Sequence, residues 1–428
     1  MKFNKEKSVM VSVIMSVYNA EKYLDLAIES ILSQSFRDFE FIIIEDCSTD
    51  NSLEILKNYA EKDSRIKIIQ KTENKRMKGF IENLNIGLKE AKGKYIARMD
   101  ADDISHPSRF EKQVGFLESH SDIFMVGSSI NFINEKGEIT GKLPALEADH
   151  EIKKQMPIKI SMFHPVIMFR NEKEVVRYRE KIFYCEDYDL YLRLMLEGKK
   201  FHNFSDALLD YRLLNSSISR KDSKFIKFLF IEKMKHFYYE RKKKGYDSYK
   251  NFVPNDFLNI LKTEFPSSEK DLLFSIKENR IAQALLILIY SGLRIEEFLH
   301  LTNKDVTNCI NVRDSKTTAG LRIVPIHNKI KDLIEELKKE NNEYLYTFKN
   351  TKANYSTFKY KFKNLMKELN MQHTIHDTRH TFATMLNNVD ANSTSIIKLI
   401  GHSDFSITEN VYTHKDLEEL QKAIDLLN

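Results

Sequence analysis

The sequence predicts an α/β N-terminal part with a mostly parallel sheet, followed by a mainly helical C-terminal part. Over residues 9–99, short apolar segments rich in Val and Ile alternate with segments whose apolar residues recur at helical spacing. After residue 267 this alternation stops and helical patterns predominate. Residues 245–267, between the two parts, contain Pro254 and Pro266, which is typical of a linker.

Strands and helices alternate in the N-terminal part. The strands are expected at 9–18, 39–46, 66–70 and 95–99, and the helices at 21–34, 53–61 and 79–91. Strands separated by helices of this length form parallel sheets with helices on both faces. Ligands bind outside the carboxyl ends of such strands. The first candidate site therefore comprises Tyr18, Asn19, Asp46 and residues 100–103.

The C-terminal part is predicted to be helical apart from one hairpin. The helices are expected at 285–301, 330–339, 357–369, 381–387 and 394–399, and the hairpin at 311–326. We therefore predict a first domain at 1–250, a linker at 251–267 and a second domain at 268–428.

The composition is that of a globular protein, with 428 residues, 42% of them hydrophobic and 30% charged, which is enough for two domains. The longest apolar runs, such as 284–290, are far shorter than the roughly 20 residues of a membrane span. The first residues lack the apolar stretch of a signal peptide. We therefore expect a cytoplasmic protein without a transmembrane segment.

The positive charge is concentrated in one segment. Residues 220–250 contain eleven Lys and Arg against four Asp and Glu, and the predicted second domain has a net charge of only +1. A run of this kind either forms a solvated helix face or contacts an anionic partner. Peripheral contact of residues 220–244 with a membrane is one of these interpretations.

Two acidic groups in the N-terminal part have the residue types that sugar transfer from a nucleotide diphosphate would need. Asp100, Asp102 and Asp103 directly follow a predicted strand, where one or two carboxylates can hold Mg²⁺ or Mn²⁺ against a diphosphate. Glu186 and Asp187 precede an amphipathic segment and offer a base for an acceptor hydroxyl. Helix capping and an acidic first helical turn are the alternative interpretations.

Five segments together resemble family 2 glycosyltransferases. They are VSVIMSVYN at 11–19, EDCSTD at 45–50, YIARMDADD at 95–103, FHP at 163–165 and EDYDLYLRL at 186–194. The resemblance covers about residues 1–250 and implies a Rossmann-like fold of the glycosyltransferase A type. Cys47 stands where the family commonly has Gly, and Leu214 where it often has His.

The resemblance also implies an inverting transfer from a nucleotide-sugar donor to a glycan or lipid-linked acceptor, with a role for each matching residue. Asp46 would bind the nucleotide base with Ser16 and Tyr18 close by, Asp100 the ribose, and Asp102 the Mg²⁺ or Mn²⁺, while Asp187 would be the general base.

A second constellation lies in the C-terminal part. Cleavage of a DNA phosphodiester needs a nucleophile, cations and an acid for the leaving oxygen. The candidates, in chain order, are Arg294, Lys316, His376, Arg379, His402 and Tyr412. Each also has a structural interpretation, such as an ion pair of Arg294 with Glu297. Zinc binding by the histidines is disfavoured because no nearby Cys or carboxylate completes a tetrahedral set.

The ordered set resembles the catalytic domain of tyrosine recombinases, the phage integrase family, over about 270–415. The segments are SGLRIEE at 291–297, SKTTAG at 315–320, HDTRHTFA at 376–383, GHS at 401–403 and YTH at 412–414. The resemblance implies DNA as the partner and no metal. Tyr412 would attack phosphorus, Arg294 and Arg379 would bind the non-bridging oxygens, Lys316 would protonate the leaving oxygen, His376 would help remove the tyrosine proton, and His402 would hydrogen-bond the phosphoryl group.

Three functional hypotheses follow. We favour an active glycosyltransferase of the hexosyltransferase type that carries a tyrosine recombinase tail. The alternatives are a site-specific recombinase with the transferase as passenger, and a non-catalytic DNA-binding or oligomerising tail. Recombinases normally carry a DNA-binding helical domain before the catalytic domain, and here a glycosyltransferase-like sequence takes that place.

Overall fold

The computed structural model describes residues 9–172, 175–214, 223–313, 321–340, 342–348, 350–401 and 414–427. The chain divides into two compact units, one formed by Met1–Ser223 and Phe237–Phe252 and the other by Lys224–His236 and Val253–Asn428. The helix Lys224–Lys244 is shared between them. The domain limits given above remain predictions.

A nine-stranded mixed sheet forms the centre of the first unit. Its strands are β1 Val11–Val17, β2 Phe39–Glu45, β3 Ile66–Gln70, β4 Tyr95–Asp100, β5 Ile104–Ser105, β6 Ile123–Ile133, β7 Ile139–Leu143, β8 Met168–Arg170 and β9 Lys200–Arg212. The order is β3-β2-β1-β4-β8-β6-β9-β5, and β7 pairs with β6. The first four strands are parallel and β8 runs antiparallel to β4. The predicted α/β fold is confirmed.

The helices of the first unit are α1 Glu21–Leu32, α2 Ser52–Lys62, α3 Met77–Glu90, α4 Arg109–Ser119, α5 Asp149–Gln155 and α6 Glu186–Leu196. The next helix, α7 Lys224–Lys244, is the one divided between the two units. Strand β1 is buried almost throughout because its apolar, β-branched residues pack on both sheet faces. Val13 and Met15 of β1 belong to one core with Leu24 and Ile28 of α1.

The register of β1 aligns the strand ends that carry the predicted site. Ser16 lies opposite Ile44 of β2 on one side and opposite Asp100 of β4 on the other. The carboxyl ends of the three strands are therefore level. Asp46, Tyr18 and residues 101–103 follow directly at this edge.

The second unit is mainly helical, as predicted. Its further helices are α8 Asn255–Leu258, α9 Ser267–Ser275, α10 Arg280–Ser291, α11 Ile295–His300, α12 Asn328–Lys339, α13 Tyr355–Glu368, α14 Asp377–Asn388, α15 Ser393–Ile400 and α16 His414–Asp425. Strands β10 Cys309–Val312 and β11 Arg322–Pro325 pair antiparallel, as do β12 Thr347–Phe348 and β13 Thr351–Lys352. The predicted hairpin is thus present as the β10–β11 pair.

The single helix expected at 285–301 was a wrong prediction, because two helices meet there. Helix α10 ends at Ser291, and Gly292 follows with φ +64°. A side chain at position 292 would also come within 2.3 Å of Phe382 Cδ1. Glycine is therefore required at this position, and the left-handed backbone ends the helix there.

Within the described ranges, no helix is both long enough and apolar enough to cross a membrane.

Candidate active sites

Asp46, which follows β2, is buried beside a lysine. Its Oδ1 lies 2.8 Å from Lys71 Nζ. Its Oδ2 faces α3, since a Cβ added at Gly79 would lie 3.2 Å from that oxygen. On the neighbouring strand, Ser16 Oγ accepts a hydrogen bond of 2.9 Å from Asn83 Nδ2. Tyr18 is half exposed, so its ring is available to a ligand.

The loops after β1 and β2 hold each other in place. Asn19 Oδ1 accepts a hydrogen bond of 2.8 Å from the Thr49 backbone N–H, and Asp50 Oδ2 accepts one of 3.1 Å from the Glu21 N–H. Asn19 has φ +47°, which Asn tolerates better than most residues. The two strand ends that carry Tyr18 and Asp46 are thus linked by side chains of the loops themselves.

Two arginines organise the turn after β4. Arg98 donates from Nη1 to Asp100 Oδ1. The Arg212 N–H donates to Asp103 Oδ1 over 2.8 Å, and Arg212 Nε donates to the Asp102 carbonyl over 2.8 Å. Burial and then the charge of Asp100 raise the pKa of Asp102 to about 6. The same two causes raise the pKa of Asp103.

The pair Glu186–Asp187 begins α6 in a buried position. Burial, followed by the charge of Asp187, raises the pKa of Glu186 to about 8. Burial raises the pKa of Asp187 to about 6, although the Tyr188 N–H donates to its Oδ1 over 2.7 Å. The charge of Asp100 acts on both carboxyls in the same direction. The structure thus gathers five carboxyls into one acidic centre, which comprises Asp100, Asp102, Asp103, Glu186 and Asp187.

In the second unit, Arg294 and Arg379 converge on one carbonyl. Arg294 Nη2 donates to Gly401 O over 2.9 Å, and Arg379 Nη2 donates to the same oxygen over 3.3 Å. Arg294 Nη1 also donates to Glu297 Oε1 over 2.8 Å, so the ion pair weighed from the sequence is present. Arg379 is buried, and its Nη1 donates to Gly292 O over 2.8 Å.

His376 lies at the start of α14, one turn from Arg379. Burial, then His380, and then the charges of Arg379 and Arg294 lower the pKa of His376 to about 4. The imidazole is therefore neutral at neutral pH and has a nitrogen that can accept a proton. The other predicted residues, Lys316, His402 and Tyr412, lie outside the described residues.

Comparison with known proteins assigns both parts of the chain. The family model of glycosyl transferase family 2 matches residues 12–185. The O-antigen biosynthesis glycosyltransferase WbnJ of Escherichia coli is 39% identical over 49% of this chain and 82% of its own length. The amylovoran biosynthesis glycosyltransferase AmsE of Erwinia amylovora is 30% identical over 50% of this chain and 79% of its own length. This chain belongs to glycosyl transferase family 2.

The C-terminal part matches the phage integrase family over residues 257–419. The first unit is therefore a glycosyltransferase, and the second contains an integrase domain. The chain is also similar to a solved structure of Staphylococcus aureus TarS 1–349 in complex with UDP-GlcNAc, with 19% sequence identity and a TM-score of 0.45. The match covers 68% of this chain and 78% of the TarS chain.

The acidic centre of the glycosyltransferase suits a divalent cation that is shared with a diphosphate. Among the described residues, no group of three or more His, Cys, Asp or Glu could hold a metal by itself. Mg²⁺ bound with nucleotides needs only one or two carboxylates, because the phosphates supply further ligands. Asp102 has a raised pKa, and Asp103 Oδ2 is buried without a hydrogen-bond partner in the described ranges. A cation beside them would stabilise both carboxylates.

Sequence reasoning missed the arginine at the middle of this centre. Arg98 on β4 is only 3% exposed. Its charge partly offsets the rise in pKa that burial causes at Asp102, Asp103, Glu186 and Asp187. The pKa of His164 is lowered mainly by burial and further by the charge of Arg98. His164 Nε2 and the Tyr178 hydroxyl share a hydrogen bond of 2.7 Å. An arginine within an otherwise apolar strand was the available signal, since a buried arginine needs partners.

Proposed function

We propose that the first unit transfers a sugar with inversion from a nucleotide-sugar donor to a glycan or lipid-linked acceptor in cell-surface polysaccharide synthesis. The acidic centre supports this proposal, because it combines a candidate cation site with a candidate base around one buried arginine. The acceptor class is supported by the names of the two relatives, which refer to O-antigen and amylovoran biosynthesis.

The donor would bind along the level strand ends. Asp46 would hold the nucleotide base, with Ser16 and Tyr18 beside it, and Asp100 would hold the ribose. Asp102 would hold Mg²⁺ or Mn²⁺, which neutralises the diphosphate charge when bound.

The base is better assigned to Asp187 than to its neighbour. Glu186 has a pKa of about 8 and is protonated at neutral pH, whereas Asp187, with a pKa of about 6, is mostly ionised. Adjacent carboxyls whose pKa values differ in this way can take different roles. Asp187 would accept the proton of the acceptor hydroxyl. The hydroxyl oxygen would attack the anomeric carbon on the side opposite the leaving diphosphate.

A donor screen tests this assignment. The intact protein is incubated with UDP-, GDP- and dTDP-sugars and Mn²⁺, and nucleotide release is measured. One donor class should be hydrolysed slowly without acceptor, and Asp102→Ala should remove that activity. Equal rates in Asp102→Ala and the wild type would contradict the assigned site.

We propose, secondly, that the integrase domain cleaves and rejoins DNA strands. The shared approach of Arg294 and Arg379 to Gly401 O supports this, because two adjacent guanidinium groups suit the non-bridging oxygens of a phosphodiester. The Tyr412 oxygen would form a bond to phosphorus as the bond to the 5′-oxygen breaks. Lys316 would protonate that oxygen, His376 would take the tyrosine proton, and His402 would hydrogen-bond the phosphoryl group.

Trapping of a covalent adduct tests this second proposal. A nicked suicide substrate made from DNA flanking the gene should give a covalent protein–DNA adduct, which Tyr412→Phe should eliminate because it lacks the attacking oxygen. Adduct formation should fall as salt rises. An adduct that persists in Tyr412→Phe would refute this nucleophile. DNA binding without any adduct in the wild type would favour the non-catalytic tail.

A further inference from the structure

Arg322 is a fully buried arginine of the integrase domain. It lies on β11 opposite Val312, and its side chain is 0% exposed. Its Nε donates to Leu399 O over 2.7 Å, and its Nη1 and Nη2 donate to the two carboxylate oxygens of Glu297 over 3.1 and 2.9 Å. This fork-to-fork arrangement is specific to a guanidinium group.

Glu297 connects Arg322 to Arg294. Its Oε1 also accepts from Arg294 Nη1 over 2.8 Å, and its Oε2 accepts from the Arg294 backbone N–H over 2.9 Å. Burial opposes the ionisation of Glu297, but Arg322 lowers the pKa to about 2, so the carboxylate is charged at any working pH. Arg322 thus binds the Glu297 carboxylate, and the same carboxylate binds Arg294.

Gly401 provides a second connection. A Cβ at Gly401 would lie 2.8 Å from Arg322 Nη1 and 2.9 Å from its Cδ, so the guanidinium packs against this residue. The Arg322 bond to Leu399 O holds the same end of α15. Because Gly401 O is the acceptor that Arg294 and Arg379 share, Arg322 also controls the position of that acceptor.

Among the described residues, Arg294 and Arg322 pair with Glu297, and Arg379 shares an acceptor with Arg294. Burial, followed by repulsion from the charges of Arg294 and Arg322, lowers the pKa of Arg379. An added phosphate would offset this repulsion. The Arg294 side chain is 29% exposed and can reach such an anion, whereas the buried Arg322 acts only through its neighbours.

We propose that Arg322 is a positioning residue that sets the geometry of the Arg294–Arg379 pair through Glu297 and Gly401. The proposal rests on the proposed DNA cleavage activity. It assigns to Arg322 no contact with DNA, and it predicts an effect on the rate of adduct formation with little effect on DNA affinity.

The first experiment measures single-turnover adduct formation at saturating suicide DNA. Arg322→Lys keeps the charge but cannot form the fork and the Nε bond together, so the rate should fall about 10²-fold, as when one preorganised donor is lost. DNA affinity and the thermal melt should change little. Arg313→Lys is the matched control, because the Arg313 side chain is 71% exposed and should tolerate the change.

A double-mutant cycle separates positioning from general damage. Glu297→Gln should slow adduct formation to a similar degree, and it carries the same test if Arg322→Lys does not fold. Arg322→Met combined with Glu297→Gln should be no slower than the slower of the two single variants Arg322→Met and Glu297→Gln, because both changes break one connection. Fully additive losses would overturn the proposal.

Inorganic phosphate distinguishes failure of the positioning role from failure of the cleavage activity. Binding is followed by ³¹P line broadening, and the component lost in Arg294→Ala defines the site. If the wild type forms no adduct but shows this phosphate-binding component, and Arg322→Lys lacks the component, cleavage is contradicted and positioning is supported. Adduct formation at the wild-type rate in Arg322→Lys overturns positioning and leaves cleavage standing. If the wild type shows neither adduct nor this component, both proposals fail.

Discussion

Asp102 and Asp103 hold two carboxyl groups in a buried position beside Asp100, where a bound cation would stabilise their charged forms. Burial raises the pKa of both, and Arg212 binds Asp102 through its carbonyl rather than its carboxylate. The Asp102 oxygens therefore stay available to a cation. This is the physical reason to expect metal-dependent donor binding.

Asp102→Ala should reduce donor affinity in Mn²⁺ to the value measured in EDTA, because the cation loses its protein ligand. Titration calorimetry with the donor identified by the screen measures both values. Asp206→Ala is the control, since the Asp206 side chain is 65% exposed and pairs only with Lys112 among its described ion pairs. Unchanged affinity in Asp102→Ala would remove this residue from the cation site.

Asp187 is expected to impose a pH dependence on transfer. Its pKa is raised by burial to about 6, so the reactive carboxylate is present above pH 6 and is lost as the pH falls through that value. Asp187→Asn should bind donor normally and transfer sugar about 10²–10⁴-fold more slowly, the usual contribution of a positioned base. Transfer rates of the wild type and of Asp187→Asn, measured from pH 5 to 8, test both statements. Near-normal transfer in Asp187→Asn would show that Asp187 serves only as a residue of the first turn of α6.

Elements with continuous apolar patterns were the easiest to predict. Strand β2 was expected at 39–46 and lies at Phe39–Glu45, because a run of apolar residues buried on both faces has few other uses. The break at Gly292 was missed, because the apolar pattern continues across it. The positive φ and the contact with Phe382, which show why glycine is needed, become visible only in the fold.

The predicted and the missed site residues differ in where their partners lie in the chain. The spacing of Asp100, Asp102 and Asp103 is local and could be recognised in the sequence. Arg212 binds Asp103 from 109 positions away, and Arg322 binds Leu399 from 77 positions away. A single sequence does not reveal such pairs, because they are created by the fold.

The end of helix α7 presents a basic surface. Lys242, Lys243 and Lys244 are exposed, as are Tyr239 and Tyr246 on either side of them. Lysines next to exposed aromatic rings suit the surface of an anionic membrane, where each basic residue contributes about 1 kcal/mol of attraction. This supports the proposal of peripheral contact through residues 220–244.

Replacing Lys242, Lys243 and Lys244 together by Glu should abolish sedimentation of the protein with vesicles rich in phosphatidylglycerol. Vesicles of phosphatidylcholine should bind neither the wild type nor the variant. Lys57 and Lys62 on α2, with Lys67 on β3, replaced together by Glu, give a control with the same change in charge. Equal loss in both variants would show that net charge, and not this surface, governs binding.

At the scale of the whole molecule, domains of two different families share one chain. Each unit has its own buried core, with Ile28 fully buried in the first and Leu286 fully buried in the second. Residues 251–267 contain two prolines, and the architecture changes across them. The two units are therefore expected to fold and act separately.

Calorimetry of the intact chain should show two transitions that respond to different core substitutions. Ile28→Ala and Leu286→Ala each leave a cavity that costs about 2–5 kcal/mol, so each should lower one melting temperature and leave the other in place. The activities should separate in the same way, with Ile28→Ala sparing adduct formation and Leu286→Ala sparing sugar transfer at temperatures below both transitions. If either substitution lowers both melting temperatures together, the units are stabilised by each other, and neither activity can be assigned to a part of the chain alone.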